Sequence, residues 1–391
     1  MWTTQKVDFS IHEAHNMFTL VSAGCLGALF LFSLPFLRQL SYEVFLRTHQ
    51  ALAGVCVYGI WRHLPADNLY PHLYLYAALG IFVLTSTIQF LIFLYRNGLF
   101  AGQGCPRAIV STSTNYQHKI KKNTNDTVNT AIRVRLVLPR PVKVQAGQYI
   151  NLWMPSVSLS SWAQTHPFVV TSWSCRKQDT LDLLLQPRSG ISTALLHQAR
   201  AVGEGSISFL AFFSGPHGIS EPVSHYETVL VIASEFGIAA VIPYLRKMIY
   251  GYNTCTSQTR RIHLVWQLES LDIAIATQEL LNSLLEDDIL DNGYIFAISI
   301  YVKNGHFIKN ELPFGRHERA VLHKGVPDYS NIISSEASGN RIERLPEIYD
   351  EHGQMLVMAS TSNVLRDQLR NIVRGYLHHQ VRMSELEFQP Q

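Results

Sequence analysis

The sequence predicts a multi-domain chain: three transmembrane helices, then a small antiparallel β-barrel, then a doubly wound α/β domain. Three observations predict it. The first hundred residues hold long stretches poor in charge, the next hundred hold short strands punctuated by Gly and Pro, and the last part alternates apolar strands with helices. Charged residues are only 16% of the 391, against roughly 25% in ordinary soluble domains. Net charge is +3, too balanced for a nucleic-acid binder, so no nucleic-acid partner is expected. The 5 cysteines are scattered and contain no CxxC, which argues against a disulfide framework or a zinc site.

Residues 1–15 read as an N-terminal segment and 16–98 as a membrane unit. Residues 16–37 contain no Asp, Glu, Lys, Arg or His. As a helix they reach about 33 Å, enough for a bilayer core of about 30 Å. Residues 69–95 make a second such run, broken only by His72. Between them, 41–63 carries Glu43, Arg47, His49, Arg62 and His63. Bracketed by two spans, it reads as a third, facing protein or cofactor instead of lipid. Basic residues fall in the first loop (Arg38, Arg47) and after the last span (Arg96, Arg107, Lys119, Lys121, Lys122), with none in 64–70. The positive-inside rule then predicts a multi-pass integral membrane protein, in contact with membrane lipid, whose soluble domains are cytosolic. His49 and His63 share one helix face and lie about 21 Å apart along it. Two imidazoles so placed suit axial ligation of two haems; they also read as plain interfacial polar residues. His12 and His15 read as solvated interface histidines, with a haem ligand as the alternative reading.

Residues 99–222 comprise a linker and the barrel. The stretch 105–125 is polar and turn-rich, and the sequon Asn125-Asp126-Thr127, being cytosolic, is expected to stay unmodified. Short strands over 130–139, 149–154, 168–173, 181–186 and 206–213 spell a small antiparallel barrel. From 223 to 391 the period changes. Strands at 228–233, 262–268, 294–302 and 355–359 alternate with helices at 238–250, 276–290 and 364–377, which predicts a parallel sheet with helices on both faces. Residues 303–354 read as an irregular polar insertion.

Several short motifs sit on this frame in a fixed order. Ser41-Tyr42-Glu43-Val44-Phe45 leads to His49 and His63. Ala146-Gly147-Gln148-Tyr149 marks a barrel turn. His166-Pro167-Phe168-Val169-Val170-Thr171-Ser172 is the strongest single signal. Gly190-Ile191-Ser192-Thr193, Gly215-Pro216-His217-Gly218 and Gly237-Ile238-Ala239 with Pro243 follow. In this order and spacing the chain resembles the ferric reductase and NADPH oxidase superfamily, over about residues 16–380. The resemblance implies a ferredoxin-reductase-like pair of modules carrying electrons from NADPH or NADH through FAD, and through haem b at His49 and His63, to a ferric chelate, oxygen or a small organic acceptor. It implies cofactor-binding roles for His166, Pro167, Phe168, Thr171, Ser172, Gly190, Thr193, Gly237, Ile238, Ala239 and Pro243. Only the C-terminal half of the family's six-helix membrane domain is matched. The other haem ligands would therefore come from a second membrane subunit or from helices outside this sequence.

Plain readings stand beside these: Phe168 as barrel core, Gly190 and Gly218 as turn residues, Gly237 as a strand-to-helix turn. Besides the unmatched half of the membrane domain, three departures from the family pattern are visible. Val169 replaces a hydroxyl residue, Ser234-Glu235-Phe236-Gly237 replaces a Gly-Gly-x-Gly run, and Ser360-Thr361-Ser362 replaces Cys-Gly-Pro. Glu235 would repel a phosphate unless it points away. Glu269, after the second parallel strand, suits a ribose hydroxyl better than a 2′-phosphate. Two functions follow: a membrane oxidoreductase, or a catalytically degenerate membrane subunit or scaffold.

Overall fold

The computed structural model describes residues 14–34, 42–64, 69–98, 102, 104–112, 131–158, 161, 164–188, 190–202, 205–289, 294–303, 319–339, 341–342 and 353–388. His12 and the sequon at Asn125 lie outside them, as do the side chains of His15 and Glu43. The chain divides into two compact units, Met1–Ile92 and Phe93–Gln391.

In the first unit, α1 (Ala14–Phe32) packs against α2 (Tyr42–His63), and α3 (Leu69–Arg96) follows. Small residues let α1 and α2 approach closely, the usual device of helix pairs in lipid. A Cβ on Gly59 would overlap Ser22 Oγ, Ser22 and Cys56 are buried, and Thr19 Oγ1 meets His63 Nδ1 at 2.6 Å. Phe18 is flanked by the Tyr58 ring edge and by the Arg62 guanidinium, 5.2 Å from its centroid. Three helices thus stand where three spans are expected. Among the described residues only α3 is long and apolar enough to cross a membrane, and none of its apolar window is buried. The apolar part of α1, Asn16–Phe32, is shorter, and the two arginines of α2 keep it below the same measure.

The second unit contains two modules. The barrel is made of β1 (Arg107–Thr112), β2 (Ile132–Val142), β3 (Tyr149–Trp153), β4 (His166–Val169), β5 (Gln178–Leu185), helix α4 (Ile191–Val202), β6 (Ile207–Leu210) and β7 (Phe212–His217). Its strands form two antiparallel sheets ordered β5-β2-β1-β6 and β4-β3-β7. Inward residues such as Ile132, Val134 and Leu136 on β2 alternate with outward ones and fill the space between the sheets. The single strand expected over 206–213 is two, because the chain passes from one sheet to the other at Ala211. The strand expected over 168–173 ends at Val169, where Thr171 turns its amide and hydroxyl to the Asp182 carbonyl. Residues 93–97, the start of this second unit, pack on the barrel. Asn97 Nδ2 donates to the Phe213 carbonyl at 2.8 Å, and its Oδ1 accepts from the Phe213 amide at 2.9 Å, so the side chain imitates a neighbouring strand. Arg140 lies 3.7 Å from the Tyr95 centroid, and Phe93 meets Phe212.

The second module contains β8 (Thr228–Ser234), α5 (Ile238–Asn253), β9 (Arg261–Leu268), α6 (Asp272–Asp287), β10 (Phe296–Val302), β11 (Ala320–Lys324), α7 (Tyr329–Ala337), β12 (Met355–Ser360), α8 (Asn363–Arg374) and β13 (Val381–Glu385). All six strands are parallel, ordered β11-β10-β9-β8-β12-β13. The continuous apolar runs of β8 and β12 are the mark of strands covered on both faces, and residues 229–233 and 355–360 are indeed buried. The supposed irregular insertion 303–354 is not irregular throughout, since β11 and α7 lie within it. The short runs Val321-Leu322 and Ile332-Ile333 are too brief to show a period, yet they complete the sheet edge and cover one face.

Candidate functional site

Strand order reverses between β8 and β12: the chain winds outward through β9, β10 and β11, then returns to β12 and β13. A crevice opens at such a switch point, beyond the carboxyl ends of the strands, because the loops there leave in opposite directions. A cleft of about 610 Å³ lies there. The nucleotide module contributes the Ser234–Gly237 turn, Ser360–Asn363, Arg366 and the C-terminal Leu386–Phe388, while the barrel contributes Gln186 and Arg188.

The turn after β8 is shaped by its neighbours. Glu235 has φ +48, and the buried Trp266 donates its indole N–H to the Glu235 carbonyl at 2.9 Å. The Glu235 carboxylate does point away from the helix start: its Oε1 accepts the Glu269 amide at 2.5 Å. Burial pushes this carboxyl up from its ordinary value, and the Glu269 charge adds to the shift, partly offset by that hydrogen bond. Gly237 is buried, and any Cβ there would overlap the Ser360 carbonyl. The residue is thus required by the close approach of the β8 and β12 exits. Ile238, Ala239 and Pro243 are buried in α5, within the core of the nucleotide module, so of that motif only Gly237 reaches the cleft.

On the barrel side, Gly190 has φ +63 with open space where a Cβ would project, and it starts α4. Ser192 Oγ accepts the Arg188 amide at 3.1 Å, and Arg188 Nε donates to Gln186. Thr193 is half-buried in the first turn of α4. The Arg188 guanidinium lies 5.5 Å from the Phe388 ring centroid. A cation, a helix start and an αL glycine lie together here, a grouping whose chemistry suits an anion.

The remaining expected residues are placed as follows. Phe168 and Val169 are buried in the barrel, Phe168 packing in its core, while His166 and Pro167 are half-buried on the same strand. The hydroxyls of Thr171 and Ser172 are both committed to the Asp182 backbone, so their plain role is to close β4 on β5. His49 Nδ1 is buried with no hydrogen-bond partner, whereas His63 is held by Thr19. Ser22 and Gly59 approach closely across the α1–α2 seam, one helical turn from His63. Among the described residues no group of three metal-ligating side chains occurs. Sequence reasoning missed Arg188, Arg366 and Phe388. The nearness of Arg188 to Gly190 was a usable signal; Arg366 enters the cleft from the first turn of α8, just after β12, and Phe388 through the return of β13.

The fold and the cleft define a protein of two modules, a barrel and a doubly wound sheet, with a crevice at the switch point. Residues 2–60 match the family described as the ferric reductase like transmembrane component, and residues 117–221 match the FAD-binding domain family. Curated relatives include the ferric reductase transmembrane component 3 of Saccharomyces cerevisiae, 28% identical over 70% of this chain and 34% of its own length. The ferric/cupric reductase transmembrane component 2 of the same yeast is 26% identical over 65% of this chain and 32% of its own length. The chain therefore spans about a third of the length of the curated relatives it matches. Among solved structures, ferredoxin-NADP+ reductase from Plasmodium falciparum aligns over 72% of this chain and 95% of its own, with 12% identity and TM-score 0.43. A ferric-reductase-like transmembrane segment and an FAD-binding-like segment thus follow one another in this chain.

Proposed function

We propose that the chain is a membrane-bound oxidoreductase that takes reducing equivalents from NADPH or NADH, holds FAD, and delivers electrons to ferric iron or another acceptor. The observation that carries this reading is the cleft at the β8/β12 switch point, bordered by the anion-suited grouping on the barrel. FAD, when bound, supplies the exchange between hydride and single-electron chemistry. The residues present fit that group: Arg188, Gly190 and the first turn of α4 would hold its phosphates, and the β4 strand with His166, Pro167 and Phe168 would back its ring. Gly237 and Ser360–Ser362 would border the nicotinamide nucleotide, with Arg366 as a second cation. Phe388 would close the cleft from the C-terminal side. His49 and His63 would serve as haem b ligands only with further imidazoles from a second membrane subunit or from helices beyond this sequence, and α3 would meet lipid. Cytosolic placement of the soluble modules rests on the basic residues flanking the helices.

A second reading is favoured by the turn after β8. Glu235 sits where a phosphate turn would normally offer free backbone amides, and Ser360-Thr361-Ser362 offers no thiol. On this reading the chain holds flavin but does not react with pyridine nucleotide, as a partner subunit or scaffold would. One experiment separates them. Detergent-purified protein loaded with FAD is mixed anaerobically with NADH, then NADPH, while the yellow flavin absorbance is followed. Bleaching supports the oxidoreductase. A yellow protein that does not bleach supports the subunit, and a protein that refuses FAD defeats both.

A further inference from the structure

A second groove, of about 310 Å³, lies between the barrel and the nucleotide module and shares no lining residue with the cleft. The barrel supplies Lys143 and Trp173, the nucleotide module supplies Lys247 and Tyr250, and no carboxylate lines it. Lys247 is half-buried, and its Nζ finds only Ser220 Oγ at 3.5 Å, longer than an ordinary hydrogen bond. Burial lowers the pKa of this ammonium, a penalty that an anion in the groove would relieve. Among the described residues neither lysine is ion-paired. The Trp173 and Tyr250 rings meet edge to face, centroids 5.5 Å apart, and Tyr250 remains 42% exposed. An edge-to-face pair leaves ring surface open for a further planar group.

We propose that this groove binds a mononucleotide, its base against Trp173 and Tyr250 and its phosphates between Lys143 and Lys247. Size supports the class: the volume stands at the lower end of small-molecule sites, about 300–1,000 Å³, enough for one nucleotide and too small for a dinucleotide. Ser257 Oγ is committed to Ser224 O and Thr259, and Thr256 Oγ1 to Thr254. The two lysines are the cationic groups of the lining, and so the ones that match a phosphate's charge. The site is independent of the flavin reading, because it draws on other residues.

The test is photolabelling of the full chain with 8-azido-ADP, with and without saturating FAD and NADH to fill the cleft, followed by peptide mapping. Label should appear on the segments around 173–177 and 248–257 in both conditions. The double variant Lys143→Gln/Lys247→Gln should weaken that labelling about tenfold, the scale of a lost charge-assisted phosphate contact, with its melting temperature and FAD content unchanged. Unlabelled ADP should compete far better than inorganic pyrophosphate. Label confined to 186–188, 234–237 or 360–366 would overturn the proposal, as would indifference to the double variant. Equal competition by pyrophosphate would remove the role of the aromatic pair and with it the assignment to a nucleotide. Should the double variant lose fold, Tyr250→Ala alone, read by the same competition, decides.

Discussion

The barrel and the nucleotide module each send a chain out of a strand into a helix beside the cleft, and the two turns are built in opposite ways. At Gly190 the turn is open: positive φ, empty space above the Cα, and Arg188 close by. At Glu235–Gly237 the turn is filled: a carboxylate takes a backbone amide, an indole holds the carbonyl, and the glycine is pressed against Ser360. The first is suited to receive a foreign anion. The second already holds an internal one. What separates a ligand cradle from a packed corner is therefore which groups have satisfied the backbone first, a property the strand–turn–helix outline does not reveal.

The two modules also differ in how charge holds them, and the largest expected effect lies there. In the nucleotide module Glu336 is buried, bonded to Arg261 at 2.7 and 2.9 Å and to His263 at 2.8 Å. Burial alone would raise its carboxyl, but the His263 and Arg261 contacts outweigh it and hold the pKa at about 2. Glu336→Gln should cost about 3–5 kcal/mol in chemical denaturation at neutral pH, since it strands two partners. The folded pKa is depressed, so this stability is present above the unfolded value of 4.5 and is lost as pH falls toward about 2. The gap between wild type and variant should shrink over that window; a constant gap would remove the ionic explanation.

Next come the two glycines. Gly237→Ala forces a methyl group onto a backbone carbonyl and should lower stability by about 1–3 kcal/mol. Gly190→Ala meets no atom and should cost only about 1 kcal/mol, for the left-handed backbone. Equal losses in thermal melts would break the contrast between the turns. Smaller again is Glu235→Gly, which removes a negative charge from the cleft wall and should tighten pyridine-nucleotide binding roughly fivefold, the worth of about 1 kcal/mol for two like charges at close range in water. Because the Glu235 carboxyl is pushed up, wild-type affinity should improve as pH falls from neutral, and the variant should be flat. Calorimetric titration at two pH values checks both. The least effect belongs to the barrel: the Arg135–Asp182 pair is exposed, and Arg135→Ala should stay within about 0.5 kcal/mol.

Much of the architecture was legible because it rests on period. The all-buried strands β8 and β12 read as continuous apolar runs, and α5 and α8 read from their helical spacing. β11 and α7 were hidden because their apolar runs are short and take meaning only from the sheet edge they complete. In the cleft, Gly190 and Gly237 stood out as glycines, but the sequence could not say that one is open and the other pinned by Ser360, some 120 residues further on. Phe388 was invisible for the same reason, since its position depends on β13 returning beside β12, and Arg366 because the cleft it faces exists only once β12 lies beside β8. The haem expectation drew on His49 and His63 sharing a face, and the spacing carried no trace of the close Ser22–Gly59 approach one helical turn from His63.

The strand-like grip of Asn97 on Phe213 has a practical outcome for anyone cutting this gene. A water-soluble fragment begun after Arg107, where the first strand starts, would lose Phe93, Tyr95 and Asn97 together. It would leave an amide and a carbonyl on β7 bare and take from Phe212 one of its two aromatic neighbours, leaving Trp153. Begun at Phe93, the same fragment keeps its own lid and sheds only the greasy remainder.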